Sequence, residues 1–217
     1  MIRLPLAIVL VATFGLHAGV AEAQSLDAQR PQIRAALQAA ESGGYTASPS
    51  AALSRHPLYG WVEFAALRRD PDAISTAQAQ AFLKRYEGQA VAESFRALWL
   101  PAPAPRQDWP PFLSAWKPSS STALQCAHLN ARQATGRTDA QWTHQAQEIW
   151  RKGAKSLPDG CEPVFALLSS QGGLTPALRW ERIDAAATER QTSVMRSAAR
   201  GLPADEATLA NDYAAFI

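Results

Sequence analysis

The sequence predicts an all-α fold, and three observations support this prediction. Alanine is abundant and β-branched residues are sparse, which favours helix over strand. The 15 prolines and 12 glycines lie mostly between apolar segments and not inside them. Within those segments, apolar residues recur three and four positions apart, which is the period of an amphipathic helix. We therefore expect short α-helices joined by tight turns.

The N-terminus has the pattern of a cleavable secretory signal peptide. Residues 1–23 read MIRLPLAIVLVATFGLHAGVAEA, with Arg3 ahead of an apolar run and a small-x-small cleavage motif at the end. The apolar run stops at Leu16, short of the roughly 20 residues that cross a bilayer. We expect a signal peptide over 1–23, a helical domain over 24–217 with no membrane span after cleavage, and a periplasmic location.

Four helices are predicted in the first half of the chain. Apolar residues at positions 33, 36, 37 and 40 predict a helix from Ala28 to Ser42, which Gly43 and Gly44 end. The same spacing centres three further helices near Trp61, Phe82 and Phe95, and a proline at 101 ends the last of them. The proline-rich segment 101–112 is predicted to be a semi-rigid spacer.

The second half continues the helical pattern. A helix is predicted from Leu124 to Thr135, and after Gly136 the box Thr138-x-x-Gln141 predicts the capped start of another. Two helices joined at Gly136 form a hairpin of the kind that tetratricopeptide-like solenoids stack. Prolines at 163 and 176 predict two more helix starts. Apolar residues at 209, 213 and 216 predict a last helix, whose apolar stripe suggests the front part of a longer helical array.

Cys126 and Cys161 are the only cysteines, and they have three possible roles: catalytic thiol, metal ligand or disulfide. His128 does not face Cys126 on a helix, because residues two positions apart are rotated by about 200° around the helix axis. A zinc site needs three or four ligands, and the chain contains neither CxxC nor HxxxH. Cysteines of exported proteins most often pair. We therefore predict a Cys126–Cys161 disulfide and no metal site.

No catalytic motif is present in the sequence. Glutamate precedes serine at Glu41-Ser42 and Glu93-Ser94, but both pairs fit solvated faces of short helices. There is no GxSxG, no glycine-rich phosphate loop and no HExxH. The sequence therefore predicts no catalytic residue and no cofactor.

The charge pattern leaves two interpretations open. The net charge of +2 is too small to indicate nucleic-acid binding. Short basic clusters lie at the polar edges of predicted helices. They are either ordinary solvated helix faces or a patch that contacts an anionic polymer. Their members are Arg68, Arg69, Lys84, Arg85, Arg151, Lys152 and Lys155. The seven tryptophans fall mostly on apolar stripes, which favours core packing over a stacking platform for sugars.

Several stretches between Ser25 and Phe216 together resemble the N-terminal helical region of the soluble lytic murein transglycosylases of the Gram-negative periplasm. In chain order they read SLDAQRPQIRAAL, HPLYGWVEFAALRRD, LQCAHLNARQATGRTDAQWTHQAQEIWRKGAKS, GCEPVF and ALRWERIDAAA. The sequence departs from the family at Pro101–Trp116. The resemblance implies α-helical hairpins stacked as a superhelical, U-shaped or ring-like solenoid, with its two cysteines disulfide-bonded.

In that family the chemistry belongs to a C-terminal lysozyme-like domain with GLMQ and AYNAG stretches, which cleaves the MurNAc–GlcNAc linkage and leaves a 1,6-anhydro end. Neither stretch occurs in residues 1–217. The resemblance therefore implies a scaffold portion that is inactive alone, binds peptidoglycan weakly through the basic residues, and works with a catalytic domain in the same or an adjacent polypeptide. The alternative is a stand-alone periplasmic adaptor that binds a peptide or protein in a solenoid groove.

Overall fold

The computed structural model describes the backbone of residues 17–46 and 49–217, and the side chains from Leu26 onward within those ranges. The described residues are helical and contain no strand, so the all-α prediction is confirmed. The predicted signal peptide lies largely outside the described residues. Only the backbone of 17–23 is described, and it forms the first turns of α1.

Twelve α-helices lie in the described ranges, together with two short 3-10 turns. They are α1 (His17–Ser42), α2 (Ala51–Ser54), α3 (Tyr59–Leu67), α4 (Thr76–Arg85), α5 (Ala90–Trp99), α6 (Trp109–Ala115), α7 (Thr122–Ala134), α8 (Ala140–Arg151), α9 (Glu162–Ser170), α10 (Pro176–Thr188), α11 (Thr192–Ala199) and α12 (Ala204–Phe216). The chain divides into two compact units. Unit 1 extends to Ile74 and adds Arg85–Phe95, and unit 2 contains Ser75–Lys84 and Arg96–Ile217. No helix in the described ranges is both long enough and apolar enough to cross a membrane.

The core of unit 1 forms where α1 packs against α3. Ile33 and Ala40 of α1 are buried against Tyr59, Val62 and Ala65 of α3, and on each helix these residues are spaced as one face. α1 ends where predicted: Gly43 has a φ of +92°, and the amides of 43 and 44 both donate to the carbonyl of residue 39. That left-handed conformation favours glycine, which has no Cβ to clash.

A polar network fixes the outer side of unit 1. Glu63 of α3 accepts a hydrogen bond from Arg85 Nη1 at 2.8 Å and another from the Tyr86 hydroxyl at 2.8 Å. Burial, with help from the neighbouring carboxylate, raises the pKa of Tyr86, so the phenol stays protonated and remains a donor. The network ties α3 to the segment that follows α4.

The larger core of unit 2 is built from α7 to α12. Trp142 and Trp150 of α8 are buried among Leu168, Ile183 and Met195. The two indole N–H groups donate to backbone carbonyls at 2.9 and 3.0 Å. Burial of a tryptophan ring stabilises the fold fully only when its N–H has such a partner, because an unpaired buried N–H is costly.

Two local expectations were wrong, and two helices, α2 and α11, were not predicted. Asp139, and not Thr138, caps α8, because its carboxylate accepts from the amide of Trp142 at 2.9 Å. The last four residues of the predicted spacer begin α6, since Pro110 and Pro111 occupy the first turn of that helix, where proline is tolerated. α11 was not predicted as a separate helix, although it buries Val194 and Met195 together with two alanines.

Candidate binding surfaces

The two cysteines form a disulfide, in agreement with the sequence prediction. The Cys126 and Cys161 sulfurs are 1.97 Å apart, the Cα atoms are 5.0 Å apart, and both residues are buried. The described residues include no free cysteine and no cluster of three metal-ligating side chains. The His128 side chain has a different contact: its ring stacks on that of Trp116.

The predicted basic residues are divided between the two units. Unit 1 contains Arg68, Arg69 and Arg85, whereas unit 2 contains the four others, Lys84, Arg151, Lys152 and Lys155. Four of the seven make ion pairs: Arg68 with Glu41, Arg85 with Glu63, Arg151 with Glu148 and Glu181, and Lys155 with Glu189. These pairs offset much of the positive charge locally. The role of these residues in glycan contact stays a prediction.

Unit 1 contains a groove of about 630 Å³ between α1 and α3, which we call the Trp61 groove. Its apolar lining comes mainly from Ile33, Leu37, Leu58, Trp61 and Phe64. Three arginines and one glutamate complete the wall: Arg30, Arg34, Arg68 and Glu41. The groove therefore combines an apolar surface with guanidinium groups, a combination that suits an amphiphilic ligand.

The Trp61 groove exists because α3 has more apolar surface than its packing on α1 covers. One side of α3 is buried in the core, while Leu58 just before it and Trp61 within it remain 52% and 36% exposed. The Trp61 ring meets the Phe64 ring edge to face, at 5.9 Å between centroids. Contiguous exposed apolar surface beside polar groups is typical of a binding site.

The arginines of the Trp61 groove differ in their partners. Arg68 pairs with Glu41 at 2.9 Å, and Arg30 pairs with Asp27 at 2.9 Å. Arg34 is exposed and has no ion pair or hydrogen-bonded partner in the described part of the chain. A guanidinium without a partner can form two parallel hydrogen bonds to a carboxylate. Arg34 is therefore the most available cation of the groove, although the sequence pattern did not single it out.

A second, smaller pocket of about 300 Å³ lies in unit 2 beside α7 and α8. The His128 ring stacks on Trp116 with 4.4 Å between centroids and 7° between planes. Burial, and secondarily the charge of Arg132, lower the pKa of His128 to about 4. The imidazole is therefore neutral at physiological pH and can both donate and accept a hydrogen bond. Sequence spacing gave no signal for this stack, since the two rings come from different elements.

Comparison with known proteins identifies homologues of the chain. The chain is 28% identical over 196 residues to the soluble lytic murein transglycosylase of Escherichia coli K12, and 29% identical over 216 residues to that of Salmonella typhimurium. The chain is homologous to the soluble lytic murein transglycosylases. These alignments cover 88% and 96% of the chain but only 30% and 32% of the two relatives. No model of a protein family matches the chain.

Solved structures of lytic transglycosylases have a fold similar to that of this chain. The 70-kDa soluble lytic transglycosylase of E. coli aligns with a TM-score of 0.66 at 22% identity, over 89% of this chain and 31% of that one. A complex of the 70-kDa enzyme with bulgecin A gives a TM-score of 0.64, over 91% and 30%. An inactive variant of the Pseudomonas aeruginosa enzyme Slt gives 0.62 at 27% identity, over 81% and 28%.

Proposed function

We propose that this chain is the non-catalytic helical scaffold portion of a periplasmic lytic transglycosylase that acts in peptidoglycan cleavage and turnover. Homology to murein transglycosylases over 88% of the chain supports the peptidoglycan role. The observation that carries a binding function is the Trp61 groove, an exposed aromatic surface bordered by arginines. The scaffold would hold glycan strands or their peptide stems through this groove, in addition to the predicted basic residues.

Peptidoglycan has the two chemical features that the Trp61 groove fits. The C–H faces of its sugar rings can stack on an exposed tryptophan such as Trp61. The carboxylates of its peptide stems can pair with Arg34, which is unpartnered in the described residues, and with Arg68 when Glu41 is displaced. Each contact is weak because the groove is open to solvent. We therefore expect weak, salt-sensitive binding, since exposed charges are screened over about 8 Å at physiological ionic strength.

The catalytic step belongs, in this proposal, to a separate domain in the same or an adjacent polypeptide. Glu41 has a half-exposed side chain that pairs with Arg68, and Glu93 is exposed in the first turn of α5. A catalytic acid for glycoside cleavage needs a desolvating cleft that raises its pKa. Glu41 lines the Trp61 groove, which is open to solvent, and Glu93 lies on an exposed helix face, so neither residue lies in such a cleft.

The last helix offers a surface for that further polypeptide. α12 packs on α11 through Ala210 and Ala214, while Leu209, Tyr213 and Phe216 remain 61%, 37% and 90% exposed. These three residues follow the spacing of an apolar helix face. We propose that helical polypeptide of the catalytic portion covers this stripe.

Co-sedimentation of the mature chain with purified peptidoglycan tests the binding proposal. We expect Trp61→Ala and Arg34→Gln each to weaken binding by about tenfold, as the loss of one stacking or charged contact would. Tyr213→Ala, which removes an aromatic of nearly equal exposure in unit 2, and Arg196→Gln, which removes an exposed arginine of α11, are the matched controls. Added salt should weaken the parent chain's binding.

Two results would contradict this proposal in different ways. Equal pelleting of the parent and both groove variants would remove the Trp61 groove from the binding surface. Release of anhydro-muropeptides by the purified chain, lost in Glu41→Gln or Glu93→Gln, would overturn the non-catalytic assignment.

A further inference from the structure

Unit 2 buries two arginines without giving either of them a carboxylate. Arg179 and Arg182 of α10 are only 5% and 7% exposed. Neither makes an ion pair with any Asp or Glu in the described ranges, and the Nε atoms of both are buried without a hydrogen-bond acceptor. Buried charges in proteins are normally paired, because removing a charge from water is costly.

Neutral groups hold Arg179 in place. Its Nη2 donates to Ser169 Oγ at 2.8 Å, and its Nη1 donates to the carbonyls of Ala198 and Arg200. Its guanidinium also lies close to Gly201, where a Cβ would come within 2.8 Å of Nη2. These contacts orient the guanidinium but leave its charge uncompensated.

Arg182 is held by aromatic rings. Its Cζ lies 4.2 Å from the centroid of the Trp150 ring and 5.9 Å from that of Phe165. It makes no side-chain hydrogen bond to the described residues. Gly153 leaves room for it, since a Cβ at that position would come within 3.1 Å of Cζ. A guanidinium that lies over an aromatic ring keeps its N–H donors free for a ligand in the plane of the guanidinium.

Both guanidiniums line one cavity of about 450 Å³, which we call the arginine cavity. Arg200 also lines it and donates to Ser197 at 2.7 Å. Two carboxylates, Asp159 and Glu162, lie on its wall, but they are exposed and form no ion pair with the arginines. The buried part of the cavity is therefore cationic, and Trp150 and Phe165 give it an apolar wall.

We propose that the arginine cavity binds the carboxylate of a peptide, which pairs with Arg179 and Arg182 while the attached side chain packs against Trp150 and Phe165. Burial lowers the pKa of Arg182 to about 10, so the group is still charged at neutral pH and keeps its need for a counter-charge. Assigning the carboxylate to a peptidoglycan stem rests on the proposed function; the carboxylate site itself does not.

The test uses acetyl-D-Ala-D-Ala as the probe, with its C-terminal amide as the neutral counterpart and inorganic phosphate as the competing anion. Calorimetric titration of the mature chain should show binding of the acid and at least tenfold weaker binding of the amide. Arg182→Gln should weaken acid binding at least tenfold, with Arg182→Lys between it and the parent. Arg196→Gln, on the exposed side of α11, should bind as the parent does.

Melting temperatures separate this site from a structural role for Arg182. We expect Arg182→Met to melt at or above the temperature of the free parent, because it removes an uncompensated charge, and to lose the rise in melting temperature that the acid produces. Equal stabilisation of the parent and Arg182→Met by the acid would overturn the proposal, as would equal binding of acid and amide. Binding of phosphate without the acid would overturn the assignment to a carboxylate.

The outcome is distinguishable from failure of the proposed function. Pelleting with peptidoglycan through the Trp61 groove should persist in Arg182→Gln, because the groove lies in unit 1. If the parent pellets but does not bind the acid, this inference fails and the proposed function stands. If it binds the acid but does not pellet, the peptidoglycan assignment fails and the carboxylate site stands.

Discussion

Two pairs of arginines, one in each unit, have opposite settings. In unit 1, Arg68 and Arg85 lie at the surface and pair with Glu41 and Glu63, and the apolar surface between α1 and α3 remains open. In unit 2, Arg179 and Arg182 are buried under a large core without a carboxylate. Unit 1 thus pairs Arg68 and Arg85 at the surface beside the open Trp61 groove, whereas unit 2 encloses Arg179 and Arg182 without a carboxylate to compensate their charge.

The difference shows what each core can tolerate. Uncompensated buried charge destabilises a fold by several kcal/mol per ion even after relaxation, so it requires other stabilising interactions nearby. Unit 2 has them, since its core spans α7 to α12 and a disulfide crosslinks Cys126 to Cys161. Unit 1 has a small core around α1 and α3, and its ion pairs lie where solvation keeps their cost low.

Removing the disulfide should have the largest effect, and it should be confined to unit 2. Cys126 and Cys161 close a loop with a sequence separation of 35, so replacing both by alanine should lower the free energy of unfolding by about 4 kcal/mol. Hydrogen exchange should show lost protection in α7 and α9 and unchanged protection in α3. Equal loss of protection in α3 would show that the units unfold together.

Acidification should affect unit 2 through His128. Its pKa is about 4 in the folded chain and about 6.5 in the unfolded chain, so the unfolded state binds the proton first as the pH falls. Stability should therefore decline between pH 6.5 and 4, by about 1–3 kcal/mol in total. His128→Gln should flatten that decline in urea titrations, whereas replacement of His144, exposed on α8, serves as the control. A decline of the same size in both variants would refute the role of His128.

A smaller contrast is expected between two ion pairs of unit 1. The Glu63 side chain is 19% exposed and accepts from both Arg85 and Tyr86, so Glu63→Gln should lower the free energy of unfolding by about 1–2 kcal/mol. Glu41→Gln breaks a pair whose side chains are about half exposed. It should therefore lower the free energy of unfolding by less than about 1 kcal/mol. Chemical denaturation of both variants measures the difference; equal effects would mean that burial does not set the strength of these pairs.

The sequence predicted most helices well because the helical period is a local property. α1 ends at Ser42 and α5 ends before Pro101, as the glycine and proline signals indicated. The same local reasoning failed at α6, where the prolines of the predicted spacer occupy a helical first turn, and it missed α11, which buries Val194, Met195 and two alanines. The cap of α8 was misplaced by one residue, because Asp139 competes with Thr138 for the same role.

The sequence by itself determined the all-α class, the approximate helix positions and the cysteine pairing, because each depends on local spacing or on there being two cysteines. Only the tertiary structure decided that Arg182 stacks on Trp150, that His128 stacks on Trp116 and that the apolar edge of α3 stays uncovered. Each of these features joins side chains from different elements. Periodicity predicts which face of a helix is apolar, but the packing of neighbouring helices decides which part of that face is buried and which is left for a ligand.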